Sequence, residues 1–262
     1  MTDGLGKLTA LQTLMMYSIG KKKKSYFPKQ KDGLDGLDGL HELRGELRIK
    51  GLEHLRSSPP KAKAAHLEKK RHLKILKLEW DPEASDYNGK ATANDEQLLE
   101  HLQPHHNLKQ LIVNGYAGVR FPFLMSLLSN LVSIFIYSCK WCRNIPPLKQ
   151  FPSLKILILL DLSVLEYISN DGSDVSSSSL QRIRLEKLPK LRGWSSHAVT
   201  VNHGIPLDLF PCLSSLSIID CPIMSPTPVR VLNNIANDDH GESDLHKALN
   251  YPLLFPIFHF NI

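Results

Sequence analysis

Cysteine is scarce in this chain, four residues in 262, which excludes the dense disulfide framework of small secreted domains. Nowhere do about 18 apolar residues run together, so no membrane span is expected. The opening segment, MTDGLGKLTALQTL, lacks the basic-then-apolar order of a signal peptide. Catalytic signatures are missing too: no GxxxxGK[ST] loop, no GxGxxG behind a strand, no HExxH and no GxSxG elbow. His41–Glu42 has no second histidine at the required spacing, and the remaining histidines are scattered (His54, His66, His72, His197, His203). His105–His106, between Pro104 and Leu108, reads as an exposed turn. The chain is therefore expected not to be an enzyme, with no catalytic residue, metal ligand set or cofactor site.

Charge of one sign is also in short supply. The net charge of +6 is mild and concentrates at Lys21–Lys24 and in the stretch from Lys61 to Lys74. A nucleic-acid reader is more often basic over a whole face with aromatics interleaved, and aromatics here are only 7%. No nucleic-acid partner is expected. Lys21–Lys24 fits a solvated loop better than a nuclear-import signal; the expected compartment is the cytoplasm, with the nucleus as the alternative.

What is present is rhythm. Leu154, Leu157, Leu159, Leu162 and Leu165 are spaced 0, 3, 5, 8, 11, and the pattern recurs at Leu131, Ile134, Ile136, Cys139, Cys142. Further copies start at Leu180 and Leu213, and upstream at Leu108 and Leu73. Two degenerate copies open the chain, at Leu11, Leu14, Met16, Ile19 and at Arg44, Leu47, Ile49, Leu52. The eight starts are separated by 33, 29, 35, 23, 23, 26 and 33 residues. A step of three and then two is a turn entering a short strand whose alternate residues point inward. This is the leucine-rich repeat, LxxLxLxx(N/C)xL. The expected fold is α/β: a leucine-rich-repeat solenoid, a horseshoe with a short-stranded parallel concave sheet and an irregular or short-helical convex side. Stacking buries a leucine core that no single unit could bury alone.

The repeat also accounts for the CxxC pair. Cys139 and Cys221 occupy the slot where the consensus requires Asn or Cys, and Cys142 falls on the next apolar slot. A zinc knuckle would need a second CxxC or a histidine pair, and neither is supplied. The cysteines are read as structural.

Along the chain, residues 1–224 form the repeat domain, with loops expected at 20–39, 81–94 and 169–179. Residues 59–72, Pro followed by strong helix formers, predict a short convex-side helix. DEQLLEHLQ predicts a helix capped by Asn94 or Asp95, with Leu98, Leu99 and Leu102 facing the core. Residues 225–262 match no repeat and are expected to be a poorly ordered tail.

Between and after the inward residues of each strand lie those that face outward. In order they are Lys77 and Glu79, Ile112 and Asn114, Phe135 and Tyr137, Ile158 and Leu160, Arg184 and Glu186, then Ser217 and Ile219. The middle units are expected to expose an apolar, aromatic patch rimmed by charge, which is the usual mark of a protein-binding surface.

The strings GKLTALQTL, GLHELRGELRIKGLEHL, KAKAAHLEKKRHLKILKLEWD, DEQLLEHLQPHHNLKQLIVNGYAGVRFP and LSNLVSIFIYSCKWCRNIPPLKQFPSLKILIL resemble, in colinear order, the leucine-rich region of plant disease-resistance proteins. These are the coiled-coil, nucleotide-binding, leucine-rich-repeat class of intracellular immune receptors. The resemblance implies a sensor that recognises a pathogen effector or a guarded host protein and restrains a nucleotide-binding switch in its ADP-bound state. It also implies a truncated receptor: the nucleotide-binding module is absent, so ADP or ATP is expected only in a full-length member. Lys149 stands where the family commonly has Gly, and Leu162 and Leu188 replace the ladder Asn or Cys. The alternatives are a substrate-recognition adaptor of a ubiquitin ligase, or a receptor fragment without activity.

Overall fold

The computed structural model describes residues 4–20, 33–84, 90–122, 127–169, 177–195 and 210–224. Among these described residues ten short strands carry the architecture: β1 (Met16–Ser18), β2 (Gly45–Lys50), β3 (Leu73–Glu79), β4 (Gln110–Asn114), β5 (Ser133–Tyr137), β6 (Ile156–Leu160), β7 (Tyr167–Ser169), β8 (Arg182–Glu186), β9 (Gly193–Ser195) and β10 (Ser215–Ile219). Eight of them form one open parallel sheet in the order β1-β2-β3-β4-β5-β6-β8-β10, one strand at each repeat start. Chain order and sheet order coincide, as a solenoid requires. The inward pairs Leu76/Leu78, Leu111/Val113, Ile134/Ile136, Leu157/Leu159 and Ile183/Leu185 are buried in one continuous core. Each contributes about 1.5–3 kcal/mol through the apolar area it removes from water.

The sequence also sets how the chain leaves each strand. The seventh residue after a repeat's first position adopts a left-handed φ at Gly51 (80°), Gly115 (72°), Ser138 (52°), Asp161 (54°), Lys187 (54°) and Asp220 (53°). From that bend the N–H donates to the neighbouring strand's last carbonyl: Gly115 to Tyr137 at 3.0 Å, Ser138 to Leu160 at 3.0 Å and Asp161 to Glu186 at 2.9 Å. A Cβ at Gly51 or Gly115 would strike the carbonyl oxygen of Ile19 or Trp80, so only glycine fits those two bends.

Several local expectations change. In the first copy Met16 points outward and Tyr17 inward, because Met16 pairs with Arg48 and Tyr17 with Ile49. A one-residue slip exchanges the two faces of a strand, and Tyr17, a buried aromatic, occupies an aliphatic slot. The second anchor is the buried Leu43; Arg44 is exposed. The extra residue before Leu47 is taken up at Gly45, φ 70°, beside a register shift between Gly45 and Glu46.

The segment GLDGLDGL is not an exposed loop. Leu34, Leu37 and Leu40 are fully buried around a 3₁₀ turn at Asp35–Leu37, and a spacing of three matches three residues per turn. The rest of that predicted loop, 21–32, lies outside the described residues, as do Lys21–Lys24. Residues Pro59–Ala65 form a 3₁₀ helix, a tighter form than the predicted segment; the left-handed His66 (φ 43°) separates it from a second one at Leu67–Lys69.

Helix α1 (Lys90–His101) begins earlier than predicted and reaches into the 81–94 loop. Asn94 and Asp95 are interior residues of α1, not caps, while Leu98, Leu99 and Leu102 are fully buried. Strands β7 and β9 pair in a second, two-stranded parallel sheet that the repeat pattern did not announce. Each starts thirteen residues after its repeat's first leucine, Leu154 or Leu180. Residues 170–176 of the third predicted loop, and all of the tail 225–262, lie outside the described residues.

Candidate functional site: the outer face of the parallel sheet

Register assembles the outward residues into two rows. One runs Arg48, Lys77, Ile112, Phe135, Ile158, Arg184, Ser217 across β2 to β10. The other runs Lys50, Glu79, Asn114, Tyr137, Leu160, Glu186, Ile219. Sequence reasoning placed the rows from β3 onward but missed Glu46, Arg48 and Lys50 on β2. The offset of Arg48 and Lys50 from Leu47 and Ile49, the same as in the later repeats, was a sufficient signal.

Charge and apolarity segregate along these rows. On β2 and β3, Lys77 Nζ lies 2.8 Å from Glu46 Oε1, Arg48 Nε 3.0 Å from Glu79 Oε1, and Lys50 Nζ 3.5 Å from Glu79 Oε2. On β8, Arg184 donates from NH2 (2.8 Å) and Nε (3.1 Å) to Glu186 Oε2. Between these two charged zones stand Ile112, Phe135, Tyr137, Ile158 and Leu160.

That apolar group is not open to solvent as expected. Relative exposure is 0% at Ile112, 3% at Phe135, 6% at Tyr137 and 7% at Ile158, yet none belongs to the leucine core. Strands about 4.8 Å apart wedge Phe135 between Ile112 and Ile158, and Tyr137 between Asn114 and Leu160, so large neighbours cover one another. Asn114, Leu160, Glu79, Arg184 and Glu186 are half-buried, Lys77 is buried, and Ile219 on the last strand is 41% exposed.

The stretch GYAGVRFP, 115–122, is held by a dense set of structural contacts. Tyr116 is buried, with its hydroxyl donating to the Arg120 carbonyl at 2.5 Å. Its ring meets Trp80 edge-on (centroids 5.5 Å apart) and Phe121 at 5.2 Å. The Ala117 N–H donates to Asp95 Oδ2 at 3.1 Å, and the N–H groups of Val119 and Arg120 donate to Glu96 Oε1 at 2.9 and 3.1 Å. Asp95, fully buried on α1, also takes a bidentate pair from Arg56 Nε and NH2, both at 2.8 Å, while Arg56 NH1 reaches the Ala84 carbonyl at 2.8 Å. Burial pushes the Asp95 carboxyl up against the opposing pull of Arg56. One carboxylate thereby ties α1 to the turns after β2 and β4.

The cysteines serve the same stacking. Cys139 Sγ donates to the Tyr137 carbonyl (3.2 Å) and Cys221 Sγ to the Ile219 carbonyl (3.3 Å), the same two-residue reach in two repeats. Cys142 Sγ donates to the Asn144 carbonyl at 3.1 Å. Burial drives the Cys139 thiol well above its ordinary value and the Cys142 thiol up to about 12, so neither supplies a thiolate near neutral pH. Among the described residues no three His, Cys, Asp or Glu side chains group to hold a metal ion. No described helix is long and apolar enough to cross a membrane.

Comparison with known proteins agrees with this architecture. The family model described as R13L1/DRL21 LRRs matches residues 34–162. Disease resistance protein RGA2 of Solanum bulbocastanum is 32% identical over 227 residues, 84% of this chain and 22% of its own length. An RPP13-like protein 1 of Arabidopsis thaliana, named for disease resistance, is 31% identical over 221 residues, 78% of this chain and 20% of its own length. The chain thus spans about a fifth of the length of these relatives. Residues 34–162 thus carry leucine-rich repeats of the family described as R13L1/DRL21 LRRs, and the chain is similar over most of its length to plant disease-resistance proteins.

Proposed function

We propose that this chain is a non-enzymatic, protein-binding solenoid of plant disease resistance. Its outer sheet face contacts a pathogen effector or a guarded host protein, or restrains the nucleotide-binding switch of a receptor. The alignment of the outward residues into two continuous rows carries this reading. An apolar floor (Ile112, Phe135, Tyr137, Ile158) lies between ion-paired zones that fix the orientation of a partner. A partner reaches the half-buried Asn114, Leu160, Arg184 and Glu186 first, over a floor already packed and stiff. Preorganisation of that kind lowers the entropy lost on binding.

The test is a photo-crosslinking residue placed at Leu160, compared with one at the exposed Glu100 on α1. A specific adduct from infected tissue at Leu160, abolished by Arg184→Glu, is the expected result. Equal adducts at both positions, or none at Leu160, reject the outer face as the binding surface.

A further inference from the structure

The edge at which the chain enters the sheet differs in character from its outer face. Just before or near the start of β3, β4, β6 and β8, with β5 the exception, stand Arg71 and Lys74 (β3), His106 and Lys109 (β4), Lys155 (β6) and Arg182 (β8). All are exposed except the half-buried Arg182. Backbone bonds set the lysines in line: Lys109 N–H to the Lys74 carbonyl at 2.8 Å, then Val132 to Lys109 and Lys155 to Val132, both at 2.8 Å. No acidic residue occurs in the entry segments 69–75, 104–110, 128–133, 152–156 or 177–182. Among the described residues, Arg71, Lys74, Lys109, Lys155 and Arg182 make no ion pair.

The cations act on one another. His105 has its pKa lowered, first by burial and then by the positive charges of His106, Arg71, Lys74 and His72. The rim is also held in place. Asn107 Nδ2 donates to the Arg71 carbonyl and Asn130 Nδ2 to the His106 carbonyl, both at 3.1 Å, joining each entry turn to the one before it. The opposite, exit edge carries both signs, with Asp81, Glu83 and Asp161 among Lys140 and Lys187, and Lys140 is paired with Glu83 at 2.9 Å.

We propose that this entry rim is a second interaction surface, which receives an extended, carboxylate-rich segment of a protein partner. From Lys74 to Lys155 the rim crosses three strand spacings, about 14 Å, a length covered by roughly five extended residues. A line of cations without ion pairs among the described residues attracts acidic segments at long range and orients them on arrival. Single-stranded nucleic acid is the less suited ligand, because its binding relies on aromatic platforms beside the charge. The rim's ring pair, His105 and His106, lies tilted by 32° with centroids 4.0 Å apart, each ring against the other.

The test uses the full chain and a labelled peptide of about eight alternating Asp and Glu residues, followed by fluorescence anisotropy. An Asn/Gln peptide and an oligothymidine of equal charge serve as comparisons. The acidic peptide binds, and raising salt from about 50 to about 300 mM weakens it, since these contacts are exposed. The triple variant Lys74→Gln, Lys109→Gln, Lys155→Gln loses about tenfold in affinity at an unchanged melting temperature. The matching Lys→Arg triple retains binding, and so does Lys140→Gln, Lys187→Gln, Lys190→Gln on the exit edge. Equal losses from both edges, tighter binding of the oligothymidine, or no peptide binding at low salt overturns the proposal.

Discussion

Asp95→Ala should be among the most damaging single changes outside the leucine core. The carboxylate is fully buried and accepts three hydrogen bonds, two from Arg56 and one from the Ala117 N–H. Removing it leaves Arg56, whose side chain is 12% exposed, without its counter-ion, and a buried N–H without an acceptor. Breaking one side of a buried pair costs about 3–5 kcal/mol. Arg56 keeps its bond to the Ala84 carbonyl and can turn partly toward water, which favours the lower end, about 3 kcal/mol. In the double variant Arg56→Met, Asp95→Leu no charge is stranded. Only the Ala117 N–H and the Ala84 carbonyl lose partners, so most of the stability returns. Urea unfolding followed by the fluorescence of Trp80, which packs on Tyr116, next to Ala117, measures both. A double variant as unstable as the two single losses added together would refute the reasoning, because it would mean that the two side chains do not depend on each other.

Four further outcomes follow from the same geometry. Gly115→Ala should cost about 2 kcal/mol or more, from the left-handed φ and the collision with the Trp80 carbonyl, whereas Ser138→Gly should be neutral or stabilising by up to about 1 kcal/mol; opposite signs in thermal melts are the check. In the native protein at pH 8, a thiol reagent should label only the exposed Cys212, with all four cysteines reacting in denaturant; native labelling of Cys139 or Cys142 contradicts their assigned role. Lys70 is buried with its Nζ on the Leu37 (2.8 Å) and Leu40 (3.1 Å) carbonyls, and burial lowers its pKa from 10.5 to about 8. The unfolded chain keeps that proton up to about 10.5 and the folded chain only up to about 8, so the wild type should gain about 1 kcal/mol over Lys70→Met between pH 7 and pH 9; a constant difference shows that Lys70 does not titrate there. Phe135→Asp, at a 3% exposed position, should destabilise the fold itself by several kcal/mol, while Leu160→Asp, half-buried beside Tyr137 and Glu186, should cost about 1 kcal/mol; equal losses in thermal melts contradict this difference in burial.

The regular repeats were legible because strand alternation and core burial impose the same spacing on every copy. Leu157 and Leu159 are inward for the same local reason as Ile183 and Leu185, and no distant contact is needed to place them. Reading failed where the decisive partner lay far along the chain. Asp95 looked like a helix cap by its neighbours, but it answers to Arg56, 39 residues earlier. Tyr17 fills a slot that is usually aliphatic, and its hydroxyl donates to the Gly33 carbonyl, at 3.1 Å and 16 residues away. The glycines and aspartates of GLDGLDGL outweighed leucines whose three-residue spacing already fitted a buried 3₁₀ turn. On the outer face, alternation along a strand tells which residues point away from the leucine core but not how exposed they are: that depends on neighbours across the sheet, which one strand's sequence does not contain.

The central claim is that the repeat rhythm sets neighbouring strands in matched register, so that outward residues of equal offset stand side by side. A disulfide ladder reads this directly, in a Cys212→Ser background. Leu160 and Glu186 are paired across β6 and β8, whereas Arg182 sits at the other end of β8, about 13 Å away along the strand. Cysteines at 160 and 186 should cross-link within the chain on mild oxidation, and cysteines at 160 and 182 should not. Equal yields, or a preference for the 160–182 pair, would contradict the register on which both proposed surfaces depend.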